Sequence, residues 1–155
     1  MPAIANQVKL GWGNPDSVGF EQANIVSMPL KKEKIRVNKE MTVIFSHFIA
    51  DLVALGVVIE GKILDDWGYA NRNIRGATSK SYHSWGLAID LNATSNPMGV
   101  NKTSFPVDAT RALCRKYKLR WGYDYSGRKD AMHFEFLGSV ADARALTAKI
   151  LAGKL

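Results

Sequence analysis

Apolar residues recur at helical spacing between Asn38 and Leu55, where Met41, Ile44, Phe45, Phe48, Ile49, Leu52 and Val53 form one stripe and polar residues fill the other side. Asn38 suits the N-cap of this helix and Gly56 its end. A second helical pattern starts at Pro106, placed in the first turn, and runs to about Tyr117. A third opens on Ser139 with Asp142 three residues later, a capping-box arrangement, and turns Val140, Ala143, Leu146, Ile150 and Leu151 inward. Leu87-Ala88-Ile89-Asp90-Leu91 reads as a short buried strand. His133-Phe134-Glu135-Phe136-Leu137 alternates with a period of two, which puts His133 and Glu135 on one face and Phe134 and Phe136 on the other. A further short strand is predicted near Val57 to Ile59. Together these predict an α+β fold, with helices packed on a small, mostly antiparallel sheet.

The two polar-bearing strands also carry the chemistry. His83 lies on a turn bounded by serine and glycine just before the first strand, Asp90 lies within that strand, and His133 begins the second. If the strands pair, two imidazoles and one carboxylate converge from rigid backbone, a three-ligand set typical of catalytic zinc that leaves a fourth position for water. Asp130, three residues before His133, supplies a candidate base. The chain has no His-Glu-x-x-His helix, no Cys-x-x-Cys pair, no Gly-x-Ser-x-Gly elbow and no phosphate-cradling loop. His47 sits inside the first helical stripe with no partner at a metal-clamping offset, so it reads as an ordinary helix residue. The single cysteine, Cys114, lies in an apolar-periodic segment without an activating histidine beside it and reads as core.

The motifs Ser-x-His-x-x-Gly-x-Ala-x-Asp, from Ser81 to Asp90, and Asp-x-Met-His-Phe-Glu, from Asp130 to Glu135, resemble the signature of LAS-type zinc peptidases. They are similar to the D-alanyl-D-alanine carboxypeptidase branch that includes the VanY-like enzymes, and in more places to bacteriophage L-alanyl-D-glutamate endopeptidases that serve as endolysins. Trp12-Gly13-Asn14-Pro15, Asp66-Trp67-Gly68-Tyr69 with Arg72 and Arg75, and Trp121-Gly122-Tyr123 extend the resemblance over nearly the whole chain. It implies a hedgehog/DD-peptidase-like fold, zinc bound by His83, Asp90 and His133, and Asp130 as general base. It further implies that Arg72 binds or polarises substrate, with Arg75 as the competing choice and Ser81 contributing a hydroxyl. Many relatives carry glutamate in place of Asp130, so the reach to the attacking water is shorter here. The implied substrate is bacterial peptidoglycan. Endopeptidase and carboxypeptidase versions share the zinc site, and a hedgehog-like, non-catalytic zinc module is a third reading that Asp130 argues against.

Size and charge are compatible with these expectations. A chain of 155 residues with 46% hydrophobic content can bury about two-thirds of its unfolded surface as one peptidase domain, and no linker or repeat marks a separate wall-binding module. Twenty-one Lys and Arg against fourteen Asp and Glu give a formal charge of +7, which favours anionic surfaces. No nucleic-acid-binding signature accompanies that charge, and cell-envelope attraction is preferred, although solubility alone explains it equally well. Met1 to Gly13 lacks the pattern of a secretion signal, and the apolar stretch Val43 to Ile59 is broken by Ser46, His47 and Asp51. The expectation is a monomer without stable membrane insertion, made in the host cytoplasm and given access to the wall by holin-type release. Trp67, Trp85 and Trp121 are candidates to line a substrate groove or to fill core, and the turn-rich segment 92–99 is a candidate cleft rim or a plain connection.

Overall fold

The computed structural model describes residues 3–61, 66–74 and 76–155. Two short helices, α1 (Ile4–Lys9) and α2 (Phe20–Asn24), lead into an antiparallel hairpin of β1 (Ile25–Leu30) and β2 (Glu33–Asn38). Sequence pattern did not predict this hairpin. Met28, Leu30, Ile35 and Val37 do point into the core, but Pro29 and the lysines between the strands obscure the alternation. Asn38 then caps the next helical segment as expected, its Oδ1 accepting from the Glu40 amide at 3.0 Å. Its Nδ2 donates to the Trp85 carbonyl at 3.0 Å, so the same cap ties this helix to the turn that carries His83.

A 3-10 turn (Lys39–Met41) leads into α3 (Thr42–Ala54), whose Ile44, Phe45, Phe48 and Leu52 are fully buried. Val53, placed on the inner stripe by spacing, points outward at 50% exposure, so the buried stripe is narrower than the pattern suggests. After β3 (Ala88–Asp90) come α4 (Val107–Lys116), β4 (Leu119–Trp121), β5 (His133–Phe136) and α5 (Val140–Leu151). Pro106 is the N-cap of α4 rather than a member of its first turn. The capping box of α5 is present in both directions, with Ser139 N donating to Asp142 at 2.9 Å and Asp142 N to Ser139 at 3.0 Å. Leu151, read as inward-facing, is 71% exposed at the end of that helix. Among the described residues no helix is long and apolar enough to cross a membrane.

The second sheet has the order β3-β5-β4 and is antiparallel throughout, which agrees with the expected α+β class. Its centre is β5. Phe134 stacks on Trp121 with ring centroids 5.9 Å apart and also meets Phe48 and Phe105, so one face of the sheet is sealed against the helices. Trp85 and Trp121 are therefore core and line no groove: both are buried, with their indole N–H groups donating to Gly13 and Ala131 carbonyls. The strand predicted near Val57 to Ile59 does not form. Asn92 takes the place of a partner strand, its Nδ2 donating to the Val58 carbonyl at 2.8 Å and its Oδ1 accepting from the Glu60 amide at 3.0 Å.

Candidate metal centre

Ser81 begins the site. Its hydroxyl accepts from the His83 amide at 3.3 Å and caps the 3-10 turn Tyr82–Trp85, after which Gly86 turns the chain into β3 with a left-handed φ of 70°. A side chain at Gly86 would both strain that backbone and strike the main chain of Asn38, so the turn and the hairpin can approach only through glycine. His83 is buried, and its Nδ1 lies 2.7 Å from the Gly68 carbonyl oxygen. A carbonyl only accepts, so Nδ1 carries the proton and Nε2 presents its lone pair to the site.

Asp90 ends β3 directly opposite His133 at the start of β5. His83 Nε2 is 3.2 Å from Asp90 Oδ2 and 3.1 Å from His133 Nδ1, while His133 Nδ1 is 3.1 Å from Asp90 Oδ1. All three residues are buried, and their ligand atoms lie within 4.8 Å of one another. Two ring nitrogens and a carboxylate facing each other at these distances need a proton or a cation between them, and the donor set fits a divalent metal. Electrostatics point the same way. Burial opposes charge on Asp90, yet His83 and His133 hold its carboxyl far below the usual range. Burial likewise opposes charge on His133, but hydrogen bonds to Asp90 and Glu135 outweigh it and push its pKa up to about 10. The pocket is built to hold positive charge.

A cleft of about 620 Å³ opens onto this centre, lined by Arg72, Ser81, His83, Asp130 and His133 among others. Asp130 Oδ1 is buried with no hydrogen-bond partner among the described residues. Desolvation and the nearby Asp90 charge raise its pKa. Its backbone is fixed by bonds from Asp130 N to Gly122 O and from His133 N to Asp130 O, at 2.9 and 3.1 Å. Arg72 is held by its backbone: its amide donates to Ser84 Oγ at 3.1 Å, and that hydroxyl donates back to the Arg72 carbonyl at 2.9 Å. Its guanidinium donates to the Asn73 carbonyl at 3.4 Å. Arg75, the alternative substrate contact, lies outside the described residues. Of segment 92–99 Met98 reaches the cleft, while Asn92 and Asn96 are buried in bonds to other loops, so most of the segment is a connection; Trp67, 41% exposed, is not on the cleft wall.

Sequence reading placed Glu135 on the same strand face as His133 but missed Arg120 and Tyr125 behind it. Glu135 is 1% exposed and accepts from the Tyr125 hydroxyl and, at 3.1 Å, from Arg120 Nη2. The spacing of Glu135 two residues after His133 was visible in the sequence, but Arg120 is its cross-strand partner and only the strand register shows that. His47 is exposed on α3, with Nδ1 bonded to the Val43 carbonyl at 3.1 Å. Cys114 is buried and its thiol is pushed up to about 12 by that burial, so it is a core residue and no nucleophile.

Residues 75–136 match a family model described as D-alanyl-D-alanine carboxypeptidase. No curated protein and no solved structure matches the chain. The matched segment contains His83, Asp90, Asp130, His133 and Glu135 and ends with β5. Family match and buried His-Asp-His group together make this chain a metallopeptidase.

Proposed function

We propose that the protein is a zinc-dependent peptidoglycan peptidase that hydrolyses the L-alanyl-D-glutamate bond of the stem peptide, in the manner of a phage endolysin. The observation that carries this reading is the convergence of His83, Asp90 and His133 in one cleft with Asp130, one of whose carboxylate oxygens has no hydrogen-bond partner among the described residues. Two nitrogen donors and one oxygen suit zinc, which when bound supplies a lowered pKa for water and polarisation of the scissile carbonyl. Asp130 accepts the proton of the attacking water at Oδ1 and returns it to the leaving amine, a role usually contributing about 10²- to 10⁴-fold. Arg72 binds a substrate carboxylate or the carbonyl oxygen as negative charge develops, with Arg75 as the alternative. Ser81 keeps the His83 turn in place and offers its oxygen on the same wall. A site of action in the cell wall, reached by holin-type release of a monomer, goes with this assignment.

A second reading, removal of terminal D-alanine, is favoured by the match of residues 75–136 to a D-alanyl-D-alanine carboxypeptidase family model. Digestion of purified peptidoglycan followed by mass spectrometry separates the two. The endopeptidase releases peptides that begin at D-glutamate and leaves L-alanine on the muramic acid. Free D-alanine would instead establish the carboxypeptidase, and new reducing sugar ends would remove the peptidase assignment altogether.

A further inference from the structure

Glu135 sits on the central strand of the sheet, 1% exposed, and a buried carboxylate is tolerated only where donors surround it. Three do. Tyr125 donates its hydroxyl to Oε1, Arg120 donates Nη2 to Oε2 at 3.1 Å, and His133 Nε2 lies 3.3 Å from Oε1. A carboxylate already accepting from tyrosine and arginine can only accept from the imidazole as well. Nε2 of His133 therefore carries a proton, and Nδ1 is left to face Asp90 and His83 at 3.1 Å. The same census weighs against Glu135 as the proton acceptor for water, since both its oxygens already accept from donors while Asp130 Oδ1 has no partner among the described residues.

We propose that Glu135 is the positioning residue of the metal centre: it locks His133 in the Nε2–H tautomer, fixing Nδ1 as the ligand atom, and is itself held by Arg120 and Tyr125. This rests on the metal-site reading above. The clamp is rigid for a topological reason, because Arg120 and Glu135 are directly opposed in the β4–β5 ladder and Arg120 also lies over the Tyr125 ring, 5.4 Å from its centroid. Arg120, Tyr125 and Glu135 also line the cleft, so the wall a substrate would touch and the orientation of a ligand are one connected unit.

Glu135→Gln tests the assignment, because it keeps shape but loses the charge and one acceptor oxygen. Zinc affinity measured by chelator competition should fall by roughly 10- to 100-fold while the circular dichroism spectrum stays that of the parent protein. Tyr125→Phe should weaken zinc in the same direction by less. Nitrogen-15 NMR of the zinc-loaded parent should show His133 protonated at Nε2. Affinity within about twofold of the parent in Glu135→Gln, where a removed orienting partner should cost far more, overturns the proposal. If Glu135→Gln does not fold, Tyr125→Phe and the NMR tautomer decide, and an Nδ1-protonated His133 or an unchanged Tyr125→Phe overturns it. A parent protein that binds no zinc removes the metal site and this proposal together, which is distinguishable from a parent that binds zinc and a variant that binds it equally well.

Discussion

Asp130 and Glu135 are carboxylates on either side of His133 in sequence, and their hydrogen-bond partners give them opposite properties. Burial raises both, but donors from His133, Tyr125 and Arg120 pull Glu135 below the ordinary glutamate range, whereas Asp130 is left raised. A proton acceptor needs affinity for the proton it takes, and Asp130 has it. Asp130→Asn is expected to retain the metal and lose at least about a hundredfold in kcat, with metal content and turnover measured on the same preparation. His83→Ala and His133→Ala should lose both. Near-parental turnover in Asp130→Asn would place the base elsewhere. Because burial and the Asp90 charge raise Asp130, its carboxyl in the metal-free protein should titrate above the usual aspartate value of about 4, which carboxyl NMR checks, and zinc should lower it.

At the level of elements, α3 and α4 are joined by a polar clamp at the end of their contact. Asp51 on α3 accepts from the Tyr117 hydroxyl at 2.6 Å and from Lys116 Nζ at 2.8 Å. Burial opposes the charge on Asp51, but these two donors hold its pKa below the usual value. Tyr117 is pushed up to about 12 by burial and by the same carboxylate. A depressed carboxylate contributes stability above its unfolded pKa and loses it as pH falls through the folded value; a raised phenol contributes below about 10 and loses it as pH rises towards about 12. Asp51→Asn should therefore cost about 1 kcal/mol near neutral pH, since the lysine side of the pair is partly solvated. Thermal unfolding should drop by roughly 2–4 °C, with the difference shrinking below about pH 4. A drop that persists unchanged in acid would assign the loss to packing instead.

Across the whole molecule, the metal centre couples folding to pH. The pKa of His133 is raised to about 10 without metal, so its contribution is fully present below the unfolded value of about 6.5 and is lost as pH rises through about 10. The metal-free protein should lose stability over that window. A bound cation replaces the proton, and at 100 times its Kd it adds about 2.7 kcal/mol, with proton competition weakening as pH rises. Melting curves with and without zinc should thus separate more widely at pH 9 than at pH 6. A gap independent of pH would mean that protons do not compete at this centre.

Sequence alone determined the features set by local periodicity and nearest neighbours. The α3 stripe, the Asn38 cap, the Ser139–Asp142 capping box and the two strands around Asp90 and His133 all follow from side chains a few residues apart. The ligand motif was legible for the same reason, since a capped turn entering one strand and the start of another have short, recognisable signals. Tertiary structure decided what depends on partners distant in the chain. Asn92 replaced the strand expected at 57–59 because a side-chain amide can satisfy both backbone groups of an extended segment. Trp121 became core by stacking on Phe134 of the neighbouring strand, and Trp85 is buried with its indole N–H donating to the Gly13 carbonyl far away in the chain. Asp130 and Glu135 look equivalent as sequence, two acids within reach of one histidine. Strand register brings Arg120 opposite Glu135, while Asp130 lies outside the strands and has one oxygen without a hydrogen-bond partner among the described residues.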